Sequence, residues 1–311
     1  MYVCMYLEKA LAIKVEIGDK NGEATSYGNL ATVFISLGEY DRAKECLERA
    51  LAIKIQIGDR NGEATYYGNL GTMFKSLGDY DKAKEYLEKA LAIKIQIGDK
   101  EGQAASYGNL GTVLIFLGEY DKAKEFLEKA LAITIQIGDK EGEATSYEDL
   151  GTVFISLGEY DKAKEYLEKA LSIRMQIGDK AGEGSLYGTL GNLFISVGEY
   201  DKAKTHLEKA LAIRIQIGDK EGEASSYGNL GTTFISLGQY GKAEEYLEKA
   251  LAIRIQIRHR QGEALDYANL GALSQLFGEY VMTEDYMEKA LLITRDIGES
   301  DLEFKTLVIL Q

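Results

Sequence analysis

Apolar residues recur along the chain every three or four positions, which is the period of a helix with one buried face. In one stretch these residues are Ala64, Tyr67, Leu70, Phe74 and Leu77. In the next stretch they are Ala83, Leu87, Ala90, Leu91, Ile93 and Ile97. The two stretches predict a pair of helices over about residues 60–77 and 81–97.

Glycines and aspartates mark the ends of these helices. Gly78 follows the first stretch and Gly98 the second, which predicts a left-handed residue just after each helix. Asp81 and Asp99 are the predicted N-caps of the helices that follow. Gly71 lies inside the first helix, where a glycine costs about 1 kcal/mol relative to alanine. We therefore expect the partner helix to approach closely at Gly71.

The whole pattern repeats with a period of 40 residues. A Gly-x-Tyr phrase marks the period, and its tyrosines are Tyr40, Tyr80, Tyr120, Tyr160, Tyr200, Tyr240 and Tyr280. We expect this column to lie in the core, at the corner between two paired helices. His206 replaces the Tyr or Phe of a second aromatic column and is expected to pack in the same way.

Single helix pairs cannot bury their apolar faces, but stacked pairs can. The sequence therefore predicts one all-α solenoid of about fifteen helices over residues 1–311. We assign a partial repeat to 1–23, a truncated helix to 304–311, and full repeats to 24–63, 64–103, 104–143, 144–183, 184–223, 224–263 and 264–303. Ends without a polar cap predict either a segment of a longer protein or self-association through the uncapped ends.

Composition argues against several classes of function. The chain has 50 Asp and Glu against 36 Lys and Arg, a formal net charge of −14, which argues against binding to nucleic acid or to an anionic membrane. No apolar run has the roughly 18–20 residues of a membrane-spanning helix. The first residues lack the basic charge of a signal peptide. With only two cysteines, a reducing, cytoplasmic setting is predicted.

Motifs for catalysis and metal binding are missing from the sequence. Cys4, Cys46, His206 and His259 have no zinc-site spacing. The glycine-rich phrases lie inside predicted helices rather than after strands, so they do not form phosphate-binding loops. We therefore predict no enzyme activity, no cofactor and no metal site.

The repeat resembles the tetratricopeptide repeat. In the second repeat the residues that carry the resemblance are Tyr67, Leu70, Gly71, Phe74, Gly78, Tyr80, Ala83, Leu87 and Ala90. The usual period of that family is 34 residues, so six extra residues lengthen the helices here. The 40-residue form resembles long animal arrays of this repeat and the Leu-Gly-Asn-repeat (LGN/Pins) family; the Leu-Gly-Asn triplet itself stands at 190–192.

The resemblance implies a right-handed superhelix of antiparallel helix pairs, in which the first helix of each pair lines a concave groove. Such grooves bind an extended peptide or a helix of a partner protein. On this chain the family's groove positions predict, as peptide-binding candidates, Asn29, Asn69, Asn109, Asp149, Asn229, Asn269, Thr72, Thr112 and Lys75.

The asparagine row has two interpretations. An Asn side chain both donates and accepts hydrogen bonds, so a row of them could hold the backbone of a peptide. Gly68 and Gly108 precede two of the asparagines and would leave room for a close backbone approach. Alternatively, duplication copied the asparagines with the rest of the repeat, or they bridge to the backbone of the neighbouring repeat.

Charge in the predicted groove favours a neutral or basic partner segment. Lys75 is its one obvious lysine, and Glu148 with Asp149 forms an acidic step. Phe116 replaces a groove serine and is either an anchor for a partner or a contact to a neighbour. A basic cluster is either a site for an acidic partner or drift in an atypical repeat; its members are Arg254, Arg258, His259 and Arg260.

Three functions remain on the sequence alone. The chain is predicted to be a non-enzymatic scaffold or adaptor that binds a partner protein in its groove. The alternatives are a structural spacer or self-assembling scaffold, and the sensing segment of a larger signalling protein. Loss of binding on a groove substitution would favour the adaptor or the sensor, whereas oligomerisation with an inert groove would favour the scaffold.

Overall fold

The structure, a computed structural model, describes residues 2–298. Within that range the chain forms helices joined by short turns and contains no strand. The helices are α1 (Tyr2–Glu16), α2 (Lys20–Ser36), α3 (Tyr40–Gln56), α4 (Arg60–Ser76), α5 (Tyr80–Gln96), α6 (Lys100–Phe116), α7 (Tyr120–Ile137), α8 (Lys140–Ser156), α9 (Tyr160–Ile177), α10 (Lys180–Ser196), α11 (Tyr200–Ile217), α12 (Lys220–Ser236), α13 (Tyr240–Ile257), α14 (Arg260–Phe277) and α15 (Tyr280–Ile297). The helix predicted at 304–311 lies outside the described residues.

Successive helices pack as hairpins within two compact units, Met1–Tyr166 and Leu167–Gln311. In the first unit α2 packs on α3, α4 on α5 and α6 on α7, and each pair touches the next. In the second unit α10 packs on α11, α12 on α13 and α14 on α15. The predicted all-α fold, a repeated helical-hairpin solenoid, is confirmed. We call α2, α4, α6, α8, α10, α12 and α14 the first helices.

The predicted helix stops are confirmed, and one of the two predicted N-caps is wrong. Gly78 and Gly98 are left-handed, with φ of 74° and 72°. Asp99 caps α6 by accepting a hydrogen bond from the Gly102 backbone N–H at 2.9 Å. The cap of α5 is Asp79 and not Asp81, because α5 already begins at Tyr80 and Asp81 falls inside its first turn.

Close approach of the paired helices explains the glycine at position 71, as predicted. A Cβ placed on Gly71 would lie 2.6 Å from Leu87 Cγ and 3.2 Å from the Ala83 carbonyl oxygen. Both distances are shorter than an ordinary contact of about 3.5–4.0 Å. Gly111 repeats this contact in the next pair. The helix-propensity cost of the glycine therefore accompanies tight packing of α4 on α5.

The core lies between the paired helices. Leu70 of α4 and Leu87 of α5 are buried, and the ring of Tyr86 stacks on Phe74 with centroids 5.5 Å apart. The buried faces are shorter than predicted, because Leu77 and Ile97 are 45% and 40% exposed. Each is the C-cap residue beyond the last turn of its helix. The last apolar residue of each stretch therefore lies outside the core.

The tyrosine column lies only at the edge of the core, where Tyr40, Tyr80 and Tyr120 pack against it, so the prediction of core residues holds only in part. Tyr40, Tyr80, Tyr120 and Tyr200 are only half-buried, and the exposed members are Tyr160, Tyr240 and Tyr280. Each of these tyrosines is the first residue of its helix. Because a helical Cα–Cβ bond tilts toward the N-terminus, a ring at the first position projects past the end of the helix.

Candidate functional site

The candidate residues lie on first helices that touch one another. In the first unit α4 touches α6 and α6 touches α8, and in the second unit α10 touches α12 and α12 touches α14. Two depressions of the first unit gather most of the candidates. Asn29 and Asn69 line one of them. The other is lined by Lys75, Asn109, Thr112 and Asp149.

The first depression, which we call the Lys54 corner, has a volume of about 340 Å³ and is lined by Asn29, Lys54, Asp59, Asn61, Tyr66 and Asn69 among others. Lys54 is buried near the end of α3. Its ammonium donates hydrogen bonds to Asn21 and, at 2.7 Å, to the Asp59 carboxylate, the N-cap of α4. A cation of the chain itself therefore occupies this corner.

Basic side chains recur at this position, and the sequence reasoning missed them. Lys94 donates to Asp99 and to Asn61, both at 2.7 Å. Arg174 pairs with Asp179 at 3.0 Å. These residues lie on the second helix of each pair, whereas the groove candidates were chosen only from the first helices. The signal in the sequence is a Lys or Arg five residues before the N-cap.

The second depression, which we call the Thr134 corner, has a volume of about 690 Å³. In this repeat Thr134 stands where Lys54 and Lys94 stand in the earlier repeats. Thr134 is buried, and its hydroxyl donates a hydrogen bond to the Leu131 carbonyl oxygen at 2.9 Å. The Asp139 carboxylate caps α8 by accepting from the Gly142 N–H at 3.0 Å. The Thr134 side chain provides no cation for this carboxylate.

Acidic groups predominate in the Thr134 corner. Glu101, Asp139, Glu141 and Asp149 line it together with a single lysine, Lys75. Burial, followed by the neighbouring Glu148 carboxylate, raises the pKa of Asp149 to about 7, and Lys75 opposes the shift. Asp149 therefore changes its charge near neutral pH. Of the acidic step predicted from the sequence, Asp149 lines the depression.

The polar candidates differ in the hydrogen-bonding capacity they have left. Thr72 and Thr112 donate their hydroxyls to the carbonyl oxygens of Gly68 and Gly108, both at 3.0 Å. Their oxygens therefore remain only as acceptors. In the second unit Asn229 donates to Asn192 at 2.8 Å, which is a contact between neighbouring first helices. Asn269 is half-buried on α14.

The glycines beside the asparagines leave room at some positions and not at others. No other atom lies within 4 Å of a Cβ placed on Gly68 or Gly108. At Gly28, however, the Tyr66 hydroxyl lies 2.8 Å from such a Cβ. This hydroxyl donates to the Ala24 carbonyl oxygen at 2.8 Å. Glycine therefore serves packing within the chain at Gly28 and leaves open space at Gly68 and Gly108.

Comparison with known families assigns the repeat. The tetratricopeptide repeat model matches residues 4–56, 40–96, 98–176 and 183–256, well over half of the chain. The chain belongs to the tetratricopeptide repeat family. Members of this family are generally scaffolds for protein interactions and are typically not enzymes. The finer resemblance to the LGN/Pins family stays a prediction.

Solved structures share the tetratricopeptide fold at low sequence identity. A signal transduction ATPase with a tetratricopeptide repeat sensor, from Pyrococcus horikoshii, is 21% identical with a TM-score of 0.75, covering 96% of this chain and 46% of that chain. The apo form of RapI is 18% identical with a TM-score of 0.70, covering 89% and 99%. A Rap protein complexed with competence and sporulation factor is 17% identical with a TM-score of 0.60, covering 84% and 76%. Comparison with curated proteins gives no match.

Two aromatic departures from the repeat consensus have contacts within the chain. The Phe116 ring stacks on Tyr80 with centroids 4.8 Å apart and remains 59% exposed. The first of its two interpretations, an anchor for a partner, stays open beside the neighbour contact. His206 packs 4.9 Å from the Phe194 ring and 6.0 Å from the Tyr187 ring, so its predicted packing role is confirmed.

The basic cluster of this tetratricopeptide protein is occupied by contacts within the chain. Arg254 is buried and pairs with Asp266 at 3.1 Å. His259 is the N-cap of α14, and Arg260 pairs with Glu263 at 3.0 Å. Arg258 is the C-cap of α13, with φ of 59°. These contacts favour a structural role over docking of an acidic partner.

Residues 2–298 contain no group of three His, Cys, Asp or Glu side chains that could hold a metal ion. Cys4 and Cys46 are both free thiols. None of the described helices is long and apolar enough to cross a membrane. The carboxylates of the Thr134 corner thus line its walls and do not converge on one point.

Proposed function

We propose that the protein is a non-enzymatic adaptor that binds a peptide or a helix of a partner protein along its first helices. The observation that carries the proposal is the Thr134 corner. There, four candidates chosen from the sequence line one depression of about 690 Å³, namely Lys75, Asn109, Thr112 and Asp149. The general role of the family in protein interactions supports the same function.

The chemistry of the two corners suits a peptide backbone. Asn69 and Asn109 each offer an amide that can donate to a carbonyl oxygen and accept from an N–H. The empty space beside Gly68 and Gly108 lets a backbone come near these amides. The acidic lining of the Thr134 corner favours a neutral or basic segment. We therefore propose a ligand with a free backbone edge and no excess of acidic side chains.

The test is selection of binding peptides followed by substitution of the two asparagines. Peptides from a random phage-displayed library, long enough to span two repeats, are selected on the wild type and measured by fluorescence anisotropy. We expect the Asn69→Ala/Asn109→Ala variant to bind about thirtyfold more weakly, because two hydrogen bonds of about 1 kcal/mol each are lost. Circular dichroism melts confirm that the variant is folded.

A matched control uses exposed residues elsewhere on the same unit. Glu88 and Glu128 are exposed on α5 and α7 and line neither corner. The Glu88→Ala/Glu128→Ala variant should bind the selected peptides as the wild type does. Failure to select any peptide, or equal binding by both double variants, would contradict a peptide-binding groove.

A second candidate function is the sensing segment of a larger signalling protein. The observation that favours it is the likeness in fold, over 96% of this chain, to an ATPase described as having a tetratricopeptide repeat sensor. This chain spans 46% of that protein. The same peptide selection would serve this candidate, and a peptide-dependent change in the activity of an adjoining domain would separate it from a simple adaptor.

A further inference from the structure

The Lys54 and Thr134 corners are the same place in two repeats, since their lining residues lie 80 positions apart in the chain. Asp59 corresponds to Asp139, the N-cap in each corner. The asparagine Asn29 corresponds to Asn109. The backbone is therefore shared, and differences between the corners come from side chains.

In the Lys54 corner the cation is held from two sides. Its ammonium bonds the N-cap carboxylate of the following first helix, Asp59, and the Asn21 amide of the preceding first helix. Lys94 repeats both contacts, with Asp99 and Asn61. The repeat thus has a site for an ammonium between two successive first helices, and Lys54 and Lys94 of the chain itself occupy it.

The Thr134 side chain occupies the beginning of the space that the Lys94 side chain fills, but it is shorter. A Cβ placed on Gly102 would lie 2.6 Å from Lys94 Cδ, and one placed on Gly142 would lie 2.8 Å from Thr134 Cγ2. The threonine therefore fills only the start of the space that the lysine stem takes. In the part of the chain that the structure describes, no lysine or arginine is paired with Asp139.

The lining of the Thr134 corner is also more negatively charged than that of the Lys54 corner. Relative to the Lys54 corner, the ammonium next to the N-cap carboxylate is lost, and three carboxylates replace the amides of Asn21, Asn61 and Asn69. These carboxylates belong to Glu101, Glu141 and Asp149, of which Asp149 has a pKa of about 7. Lys75 is the one lysine in the lining of the Thr134 corner, so the anions still outnumber the cations there.

The Thr134 corner is also wider. Tyr66 is replaced by the smaller Ser146, and the volume rises from about 340 Å³ to about 690 Å³. Loss of a cation, gain of anions and a larger space together favour a cation from outside.

We propose that the Thr134 corner is the specificity pocket of the groove and takes the side chain of one lysine or arginine of the bound segment. The ammonium or guanidinium lies where the chain places its own cation in the Lys54 corner, between Asp139 and Glu101. The carboxylates accept charge-assisted hydrogen bonds from it, which are about twice as strong as neutral ones. This inference rests on the proposed function and adds to it the identity of the anchor.

The test uses the peptides selected on the wild type. We expect them to share one Lys or Arg, and replacement of that residue by Gln should weaken binding about tenfold or more. The loss should shrink as salt is added, because part of the attraction is screened. Fluorescence anisotropy at low and high salt measures both effects.

Three variants distinguish a pocket that is occupied by an internal cation from one whose helix packing is disrupted. Thr134→Lys supplies the missing cation from within, and it should weaken the Lys- or Arg-containing peptide about as much as the Gln replacement does. Thr134→Val keeps the size of the side chain and the open space, so it should weaken binding far less than Thr134→Lys does. Asp139→Asn keeps an effective N-cap but removes one charge, and it should give an intermediate loss.

The outcomes also separate this inference from the proposed function. Selected peptides that bind Thr134→Lys as tightly as the wild type, or that share no basic residue, would overturn the anchor while leaving the peptide groove intact. A library that yields no peptide, or peptides unaffected by Asn69→Ala/Asn109→Ala, would overturn both. Equal weakening by Thr134→Lys and Thr134→Val would show damage to the helix packing and reject the filled-pocket explanation.

Discussion

The corner between α5 and α6 and the corner between α13 and α14 have the same turn but hold their ion pairs differently. In the first, Lys94 pairs at 2.7 Å with Asp99, which is also the N-cap of α6. In the second, His259 is the N-cap of α14, and Arg254 pairs at 3.1 Å with Asp266 further along the helix. The carboxylate that pairs with the cation therefore lies at the helix end in the first corner and inside the helix packing in the second.

This move changes the environment of the carboxylate. Asp99 keeps 30% of its side chain exposed, whereas Asp266 is fully buried. The hydrogen bond from Lys94 lowers the pKa of Asp99 below its ordinary value. Burial raises the pKa of Asp266 to about 7, although Arg254 pulls it down. The same kind of pair therefore shifts the carboxylate pKa in opposite directions, because burial outweighs attraction only in the second corner.

The largest expected effect is on the buried pair. Arg254→Met should lower the free energy of unfolding by about 3 kcal/mol near pH 8, since it leaves the Asp266 carboxylate buried without a counter-charge. Lys94→Met in the exposed corner should cost about 1 kcal/mol or less. Urea denaturation followed by circular dichroism measures both values.

A double substitution checks the cause of that loss. Ser26, Ser106, Ser146 and Ser226 stand where Asp266 stands in other repeats. Asp266→Ser in the Arg254→Met background should therefore recover most of the stability, because no charge is then buried. An equal loss from Arg254→Met with and without Asp266 would mean that the arginine stem, and not the charge, stabilises this corner.

The pH dependence of stability is the next largest effect. The folded pKa of Asp266, about 7, lies above its ordinary value of 3.8, so the folded state binds the proton more tightly than the unfolded state. Its contribution is fully present below about pH 4 and is lost as the pH rises through about 7. Between pH 5 and pH 8 the wild type should lose about 2–3 kcal/mol relative to Asp266→Ser.

Urea midpoints of the two proteins across this pH range give the measurement. Asp99 shifts in the opposite direction and contributes stability that is lost only as the pH falls toward its lowered pKa. It therefore adds nothing to the difference between pH 5 and pH 8. Parallel curves for the wild type and Asp266→Ser would show that Asp266 stays ionised throughout the range.

The fold could be predicted from local signals, and the candidate site only in part. The periodicity around Leu70 and the helix-ending glycines at 78 and 98 act within about one turn of chain, so their roles could be predicted. The role of Gly71 could be predicted from its propensity cost, although its contact is with the partner helix. The contacts of Lys54 could be predicted only in part, because Asp59 follows it by five residues whereas its other partner, Asn21, lies 33 residues away on α2. The sequence shows that Thr134 replaces the Lys or Arg found at this position in other repeats. The size of the depression beside it depends on how the helices pack.

The tyrosine column shows the same limit at the helix ends. Its repeated phase in all seven repeats suggested burial, yet the side-chain direction at the first residue of a helix leaves the ring at the edge of the core. Tyr280 is 74% exposed, whereas Tyr40 and Tyr80 begin their helices in the same way and pack against the core. Periodicity predicts which face of a helix is buried, whereas the number of neighbours near its end depends on the next helix.

The smallest expected effect concerns the backbone that the two corners share. Gly98 has φ of 72°, and Arg258 holds the same place with φ of 59°, the one non-glycine with positive φ among residues 2–298. A left-handed conformation costs a residue with a side chain roughly 1–2 kcal/mol, and glycine offsets part of this by its freedom in the unfolded chain. Arg258→Gly should therefore raise the free energy of unfolding by about 0.5 kcal/mol, after both terms are included.

Gly98→Arg should lower the free energy of unfolding by a similar amount for the same reason, since no atom lies within 4 Å of a Cβ at Gly98. Arg258→Ala separates backbone from charge: if it stabilises the protein as much as Arg258→Gly does, repulsion within the basic cluster, and not the left-handed turn, is the source of the strain.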